Sequence, residues 1–134
     1  MISIDGFELI LQRIANSLPG ELFENLNGGI LLLPDVNYHP NARDRDLFIM
    51  GTYHTDPVYG RYISIYYGSF QAVYGEISVE ELQVEIERVL KHEFLHHLES
   101  QAGIRDLEIK DRMNLQDYEM NVRRINRDNG EKDG

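Results

Sequence analysis

The segment from Val79 to Ala102 most constrains the fold, because it contains no glycine or proline and predicts one long helix. Its start is marked by Ser78-Val79-Glu80-Glu81, a capping box with serine at the N-cap and glutamate at N3. Gly103 follows, and glycine commonly ends helices at this position. Apolar residues on several sides of the segment predict that this helix is buried.

The motif His-Glu-x-x-His lies within this helix, as His92, Glu93 and His96. Residues four apart share one side of a helix, about 6 Å apart along its axis, so both imidazoles can reach one Zn²⁺. Glu93 lies about 100° around the helix from His92. It is predicted to act as the general base that accepts a proton from the attacking water.

A hydrogen-bonded structural cluster is the alternative to a metal site. Two histidines and a carboxylate on a buried helix are costly without partners or a metal, which favours the metal site. The chain has no cysteine, so histidine and carboxylate are the zinc ligands that the protein can supply. One Zn²⁺ per chain is predicted, although the same donors also suit Mn²⁺, Fe²⁺, Co²⁺ or Ni²⁺.

Asp106 is predicted to be the third metal ligand. Gly103 would let the chain turn back, and three extended residues cover the return distance of about 9 Å. Glu99 lies on the same side of the helix as the two histidines. It is either an alternative ligand or an acceptor for the second ring N–H of a ligand histidine. Glu108 or Asp111 could also replace Asp106.

Two further histidines are given structural interpretations. His97 lies about 100° around the helix from His96, so it is predicted to be a core histidine bonded to a backbone carbonyl or a carboxylate. The alternative is that it supports a metal ligand by hydrogen bonding. His39 lies in a polar segment, and is predicted to be a solvated loop residue.

The remainder of the chain alternates between helical and strand patterns. Strand Arg61–Tyr67 should have one aliphatic face and one face with hydroxyl groups. Its tyrosines either pack on a half-buried sheet or line an edge where an extended peptide pairs, with Tyr66 or Tyr67 as a candidate oxyanion donor. The other predicted segments are helix Asp5–Leu18, helical turn Glu21–Leu26, strand Ile30–Leu33, surface loop Asn37–Asp46, strand Leu47–Tyr53, a hairpin loop to Gly60, and a short connection Gly68–Gly75.

Composition limits the class of protein. The 134 residues predict a single domain over residues 1–126, with a disordered charged tail from 127 to 134. The net charge of −10 argues against nucleic acid and anionic membrane partners. We find neither a stretch apolar enough to span a membrane nor a signal peptide, so a cytoplasmic location is expected.

The order of these elements resembles the small bacterial zincin-like metallopeptidases, or minimal zincins. The resemblance spans roughly Phe7 to Asp111 and includes Gly51-Thr52-Tyr53, Tyr66-Tyr67-Gly68 and the double histidine His96-His97. It implies a compact α+β domain, with a small mixed or antiparallel sheet packed on a long central helix that carries the metal. The family pattern commonly has Gly at the position of Glu99, and here Gly103-Ile104-Arg105-Asp106 follows four residues later.

The expected function is therefore a zinc-dependent metallopeptidase acting on a peptide or protein substrate. The metal would be held by His92, His96 and Asp106, with Glu93 as the catalytic base. The alternatives are a metal-binding or protein-interaction module without hydrolytic activity, and an amidase for small molecules, on the same fold.

Overall fold

The computed structural model describes residues 1–41 and 47–101. Within these residues, three α-helices and five strands form an α+β fold, as expected. The helices are α1 (Ile4–Ser17), α2 (Tyr67–Tyr74) and α3 (Val79–Gln101), and a 3₁₀ turn covers Gly20–Phe23. The strands are β1 (Gly29–Leu33), β2 (Asn37–Tyr38), β3 (Phe48–Ile49), β4 (Gly51–Asp56) and β5 (Gly60–Tyr66).

The main sheet is mixed, with β5 between β1 and β4. Strand β1 runs parallel to β5, and β4 runs antiparallel to it. The second sheet is the antiparallel pair of β2 and β3. This confirms the expected small mixed sheet, whose aliphatic face packs against the helices.

Serine side chains cap the two long helices, and α3 begins where its predicted capping box places it. Ser3 Oγ accepts the N–H of Gly6 at the start of α1, and Ser78 Oγ accepts the N–H of Glu81 before α3. These bonds satisfy amide groups that have no partner within the helix. Among the described residues, no helix is both long and apolar enough to cross a bilayer.

The hydrophobic core lies between the helices and one face of the main sheet. Because side chains alternate along a strand, Ile63 and Ile65 of β5 both lie on this face, and both are fully buried. Helix α3 is buried on several sides, as predicted from its sequence. Further fully buried core residues come from every layer: Phe7, Leu22, Phe70, Leu82, Ile86, Leu90, Phe94 and Leu98.

The predicted strand Leu47–Tyr53 is two strands in the structure. The chain changes sheets at Met50, so that Phe48 and Ile49 pair with β2 while Gly51 onward pairs with β5. The segment Gly68–Gly75, expected to be a connection, is largely the helix α2. The helix was not predicted because Gly68 lies near its start and glycine disfavours helices. The glycine is required by packing, since a Cβ there would lie 2.7 Å from backbone atoms of Pro34 and Asp35.

The prediction for His39 is wrong. Its side chain is buried, its N–H donates to the carbonyl of Leu47, and its Nδ1 accepts the N–H of Asn41. The loop prediction for Asn37–Asp46 is also wrong at its start, because Asn37 and Tyr38 form β2. His39 directly follows β2, and the pairing of β2 with β3 places it in a buried position.

Candidate metal centre

His92 and His96 lie on one side of α3, and their imidazole rings meet. The two Nε2 atoms are 3.2 Å apart, and the rings are nearly perpendicular at a centroid distance of 4.7 Å. Two nitrogens bound to one tetrahedral zinc at about 2.0–2.1 Å lie about 3.3–3.4 Å apart. An N–H···N hydrogen bond between two neutral rings would also suit the observed separation.

The three motif residues differ in their access to solvent. His92 and Glu93 are buried, whereas the side chain of His96 is 22 % exposed. The pair is therefore open to solvent on the His96 side. Solvent can therefore reach the histidine pair at His96, whereas the side chain of Glu93 is fully buried.

Glu99 lies behind His96, away from His92. Its Oε1 is 3.5 Å from Nδ1 of His96, and its side chain is 57 % exposed. Because Nε2 is the nitrogen that faces His92, this position suits the outer acceptor considered for Glu99 rather than a shared metal ligand.

Asp106, the predicted third metal ligand, lies outside the described part of the chain. Asp106, Glu108 and Asp111 all follow residue 101, where the description ends. Across residues 1–41 and 47–101, no three potential ligand side chains cluster. The donor set that is described, two imidazole nitrogens at the spacing of a shared ion, fits zinc and leaves coordination positions for further ligands.

Strand β4 packs directly against the motif helix. Gly51 faces α3, and a methyl group on it would lie 3.0 Å from Cγ1 of Val89 and 3.2 Å from Cγ of Glu93. A larger residue at this position would require Val89 and Glu93 to shift by a few tenths of an ångström. The sequence singled out Gly51 through the family resemblance but gave no reason for the glycine.

Among residues 1–41 and 47–101, no strand pairs with β4 on the side away from β5. Met50 O accepts the N–H of Tyr66, and hydrogen-bonded pairs alternate with non-hydrogen-bonded pairs along an antiparallel ladder. The N–H and C=O groups of Gly51, Tyr53 and Thr55 therefore point away from β5. In the described chain, no backbone group pairs with β4 on that side.

His97 is buried and bonded, as its structural interpretation expected. Its Nε2 lies 2.8 Å from the carbonyl oxygen of Glu24, and its Nδ1 lies 2.7 Å from the hydroxyl of Tyr53. A carbonyl can only accept, so Nε2 carries the proton, and in the neutral ring Nδ1 accepts from the tyrosine. Burial raises the pKa of Tyr53 above 10.0, with smaller opposing effects from Ser100 and Arg61, so the phenol stays protonated near neutral pH.

The two tyrosines considered for oxyanion support are not placed for it. Tyr66 lies on the sheet face opposite α3, where its hydroxyl is 3.1 Å from Oγ1 of Thr52. The hydroxyl of Tyr67 donates to the carbonyl of Ile2. Tyr53 is the tyrosine of β4 that faces the motif helix. Sequence reasoning missed it because nothing in the sequence relates Tyr53 to His97, 44 residues later.

The outer face of the sheet has its own polar cluster. Oγ1 of Thr52 lies 2.6 Å from Nε2 of His54, and the ring of His54 stacks on Tyr62 at 4.6 Å. Burial lowers the pKa of His54 below 6.5. The predicted division of β5 into an aliphatic face and a hydroxyl face is therefore confirmed.

Comparison with known proteins gives a structural likeness. No protein-family model matches the chain, and no curated protein matches it. Its fold is similar to that of a conserved hypothetical protein from Thermus thermophilus, with a TM-score of 0.63 and 27 % sequence identity. The match covers 75 % of this chain and 98 % of that protein. The likeness supports the compact α+β fold and carries no statement about activity.

Proposed function

We propose that this protein is a zinc-dependent peptidase whose metal is held in part by His92 and His96. The observation that carries the proposal is the 3.2 Å separation of their Nε2 atoms on a buried helix. The buried Glu93 follows His92 directly and packs against the strand with the open edge. Asp106 remains the proposed third ligand.

Each residue has a separate chemical role in this proposal. Zn²⁺, when bound, lowers the pKa of a coordinated water toward about 7 and polarises a substrate carbonyl. Glu93 accepts a proton as water attacks the peptide carbonyl, and then delivers that proton to the leaving amine. Its side chain is fully buried and its Cγ packs closely against Gly51 of β4, which limits the movement of the carboxylate.

The open edge of β4 supports a peptide rather than a small molecule as substrate. An extended peptide could pair with the outward N–H and C=O groups of Gly51, Tyr53 and Thr55, which would give affinity without depending on side chains. Because β4 packs on α3, a peptide bound there would pass beside the motif helix.

The proposal is tested with Glu93→Gln, which keeps the shape of the side chain and removes its basicity. We expect this variant to bind zinc as the wild type does, and to cleave an unfolded protein such as carboxymethylated lactalbumin about 10²–10⁴-fold more slowly. Glu87→Gln is the matched control, because Glu87 lies on the same helix and pairs with Lys91 on the surface.

Two results would contradict the proposal. One is cleavage by Glu93→Gln at the wild-type rate with zinc bound. The other is a wild-type protein that binds zinc stoichiometrically and cleaves no peptide, which would favour the metal-binding module. Zinc content is measured on protein purified without a histidine tag or added metal.

A further inference from the structure

Strand β4 and helix α3 make two contacts on either side of His96 in the sequence, at similar spacing along both elements. Gly51 contacts Glu93, and two residues later Tyr53 contacts His97, four residues further along the helix. Two strand residues advance about 6.6–6.8 Å, and four helical residues advance about 6 Å. The strand and the helix therefore lie side by side, in the same direction, with two contacts at matching intervals.

The two contacts differ in kind. At Gly51 the strand is held by packing, because the absent side chain lets the helix approach. At Tyr53 it is held by a directional hydrogen bond to the buried His97. His97 is fixed in turn through the Glu24 carbonyl, so its ring has a defined position from which to accept the bond from the phenol.

We propose that Tyr53 and His97 form a positioning pair that sets the register of β4 against the motif helix. An extended peptide paired with β4 is thereby presented to His92 and His96 in one register. The inference rests on the proposed function and adds to it the element that decides which peptide bond is cut. Neither residue needs to touch the metal or the reacting atoms.

The test is the distribution of cleavage sites within one defined substrate. The probe is a blocked ten-residue peptide of Val and Thr with a single Phe, whose products are identified by mass spectrometry. Loss of folded protein lowers the amount of product and leaves the choice of bond unchanged. A loosened register changes the choice of bond.

Tyr53→Phe removes the hydroxyl and keeps the ring. We expect the share of cleavage at the principal bond to fall at least about two-fold, with KM raised more than kcat is lowered. Tyr67→Phe is the matched control, because it deletes a hydroxyl that donates to the Ile2 carbonyl.

Two replacements of His97 separate its contact with Tyr53 from its contact with Glu24. In His97→Asn the side-chain oxygen can stand near the position of Nδ1 and accept from Tyr53. In His97→Gln the amide can stand near Nε2 and donate to Glu24. We expect Asn to retain the wild-type distribution of cleavage sites, and Gln to broaden it as Tyr53→Phe does.

A second readout requires no catalysis. The same peptide, with a nitroxide label at one end, is added to the Glu93→Gln protein, and the broadening of the β4 amide NMR signals is recorded. A single register gives broadening graded along the strand. Adding Tyr53→Phe should flatten that gradient, whereas adding Tyr67→Phe should not.

The outcomes distinguish failure of the Tyr53–His97 positioning pair from failure of the proposed peptidase function. A graded pattern and a single cleavage site that persist in Tyr53→Phe overturn the positioning pair and leave the peptidase standing. The positioning pair is also overturned if Tyr67→Phe spreads cleavage over other bonds as much as Tyr53→Phe does. A wild-type protein that neither cleaves the peptide nor shows broadening along β4 overturns the proposed function and the pair together.

Discussion

Gly51 shows how one missing side chain can shape a site. Its position on β4 is crowded by Val89, Glu93 and Ile65, each within 3.0–3.2 Å of where a Cβ would lie. Contacts this short require the neighbours to move. The glycine is therefore needed for close approach.

Gly51→Ala should destabilise the fold by about 1–3 kcal/mol, the usual cost of overpacking a core. Because the added methyl group presses on Glu93, cleavage should fall further than the loss of folded protein explains. Gly20→Ala is the control, since nothing lies within 4 Å of its added methyl group. Urea denaturation measures the first effect, and equal small losses in both variants would contradict the packing argument.

His54 gives the protein a dependence on pH away from the proposed metal site. Burial lowers its pKa below 6.5 in the folded state, so the unfolded chain takes up a proton first as the pH falls. Stability from this group is therefore present at neutral pH and is lost as the pH falls below 6.5. His54→Gln should lose less free energy of unfolding than the wild type between about pH 7.5 and about pH 5.5. Identical losses would contradict this assignment.

At the scale of the elements, the sequence predicts best where one local signal dominates. Helix α3 follows directly from its cap and its lack of breakers, and the hydrogen bonds at Ser78 confirm its start. The break at Met50 could not be predicted, because no glycine or proline turn signal separates β3 from β4 at Met50 and the two strands are distinguished only by their distant partners. The prediction for His39 was wrong for the same reason, since its burial depends on the pairing of β2 with β3.

Ser78→Ala should lower the free energy of unfolding by about 1 kcal/mol, the typical cost of losing an N-cap. Its hydroxyl bonds both the backbone and the carboxylate of Glu81. The affinity for zinc should stay unchanged, because nearly four helical turns separate Ser78 from His92. A change in zinc affinity as large as the change in stability would show that the cap and the site are coupled.

At the scale of the whole molecule, the candidate site combines a sequence signal with a tertiary one. His92, Glu93 and His96 can be found from their spacing, because a helix alone brings residues four apart together. The contacts that Gly51 and Tyr53 make depend on how β4 packs alongside the helix, and no local pattern encodes that packing. Asp106 lies outside the described residues and stays a prediction.

Zinc should stabilise the whole fold if the histidine pair binds it in the native state only. At a free zinc concentration of about 100 times Kd, the free energy of unfolding should rise by about 2.7 kcal/mol. His96→Ala should remove this increment, whereas His54→Gln should retain it. Denaturation with and without zinc measures the effect, and an equal increment in His96→Ala would place the ion elsewhere.

The parallel pairing of β1 with β5 has a consequence during synthesis. Ile30 of β1 pairs with Ile63 of β5, which is 33 positions later in the chain. The Leu-rich strand β1 therefore emerges from the ribosome before β5 has been synthesised. At about 5–20 residues per second, that interval lasts roughly two to seven seconds. Leu31 stays partly exposed even after folding. Until β5 is made, the unpaired apolar strand β1 is exposed to aggregation.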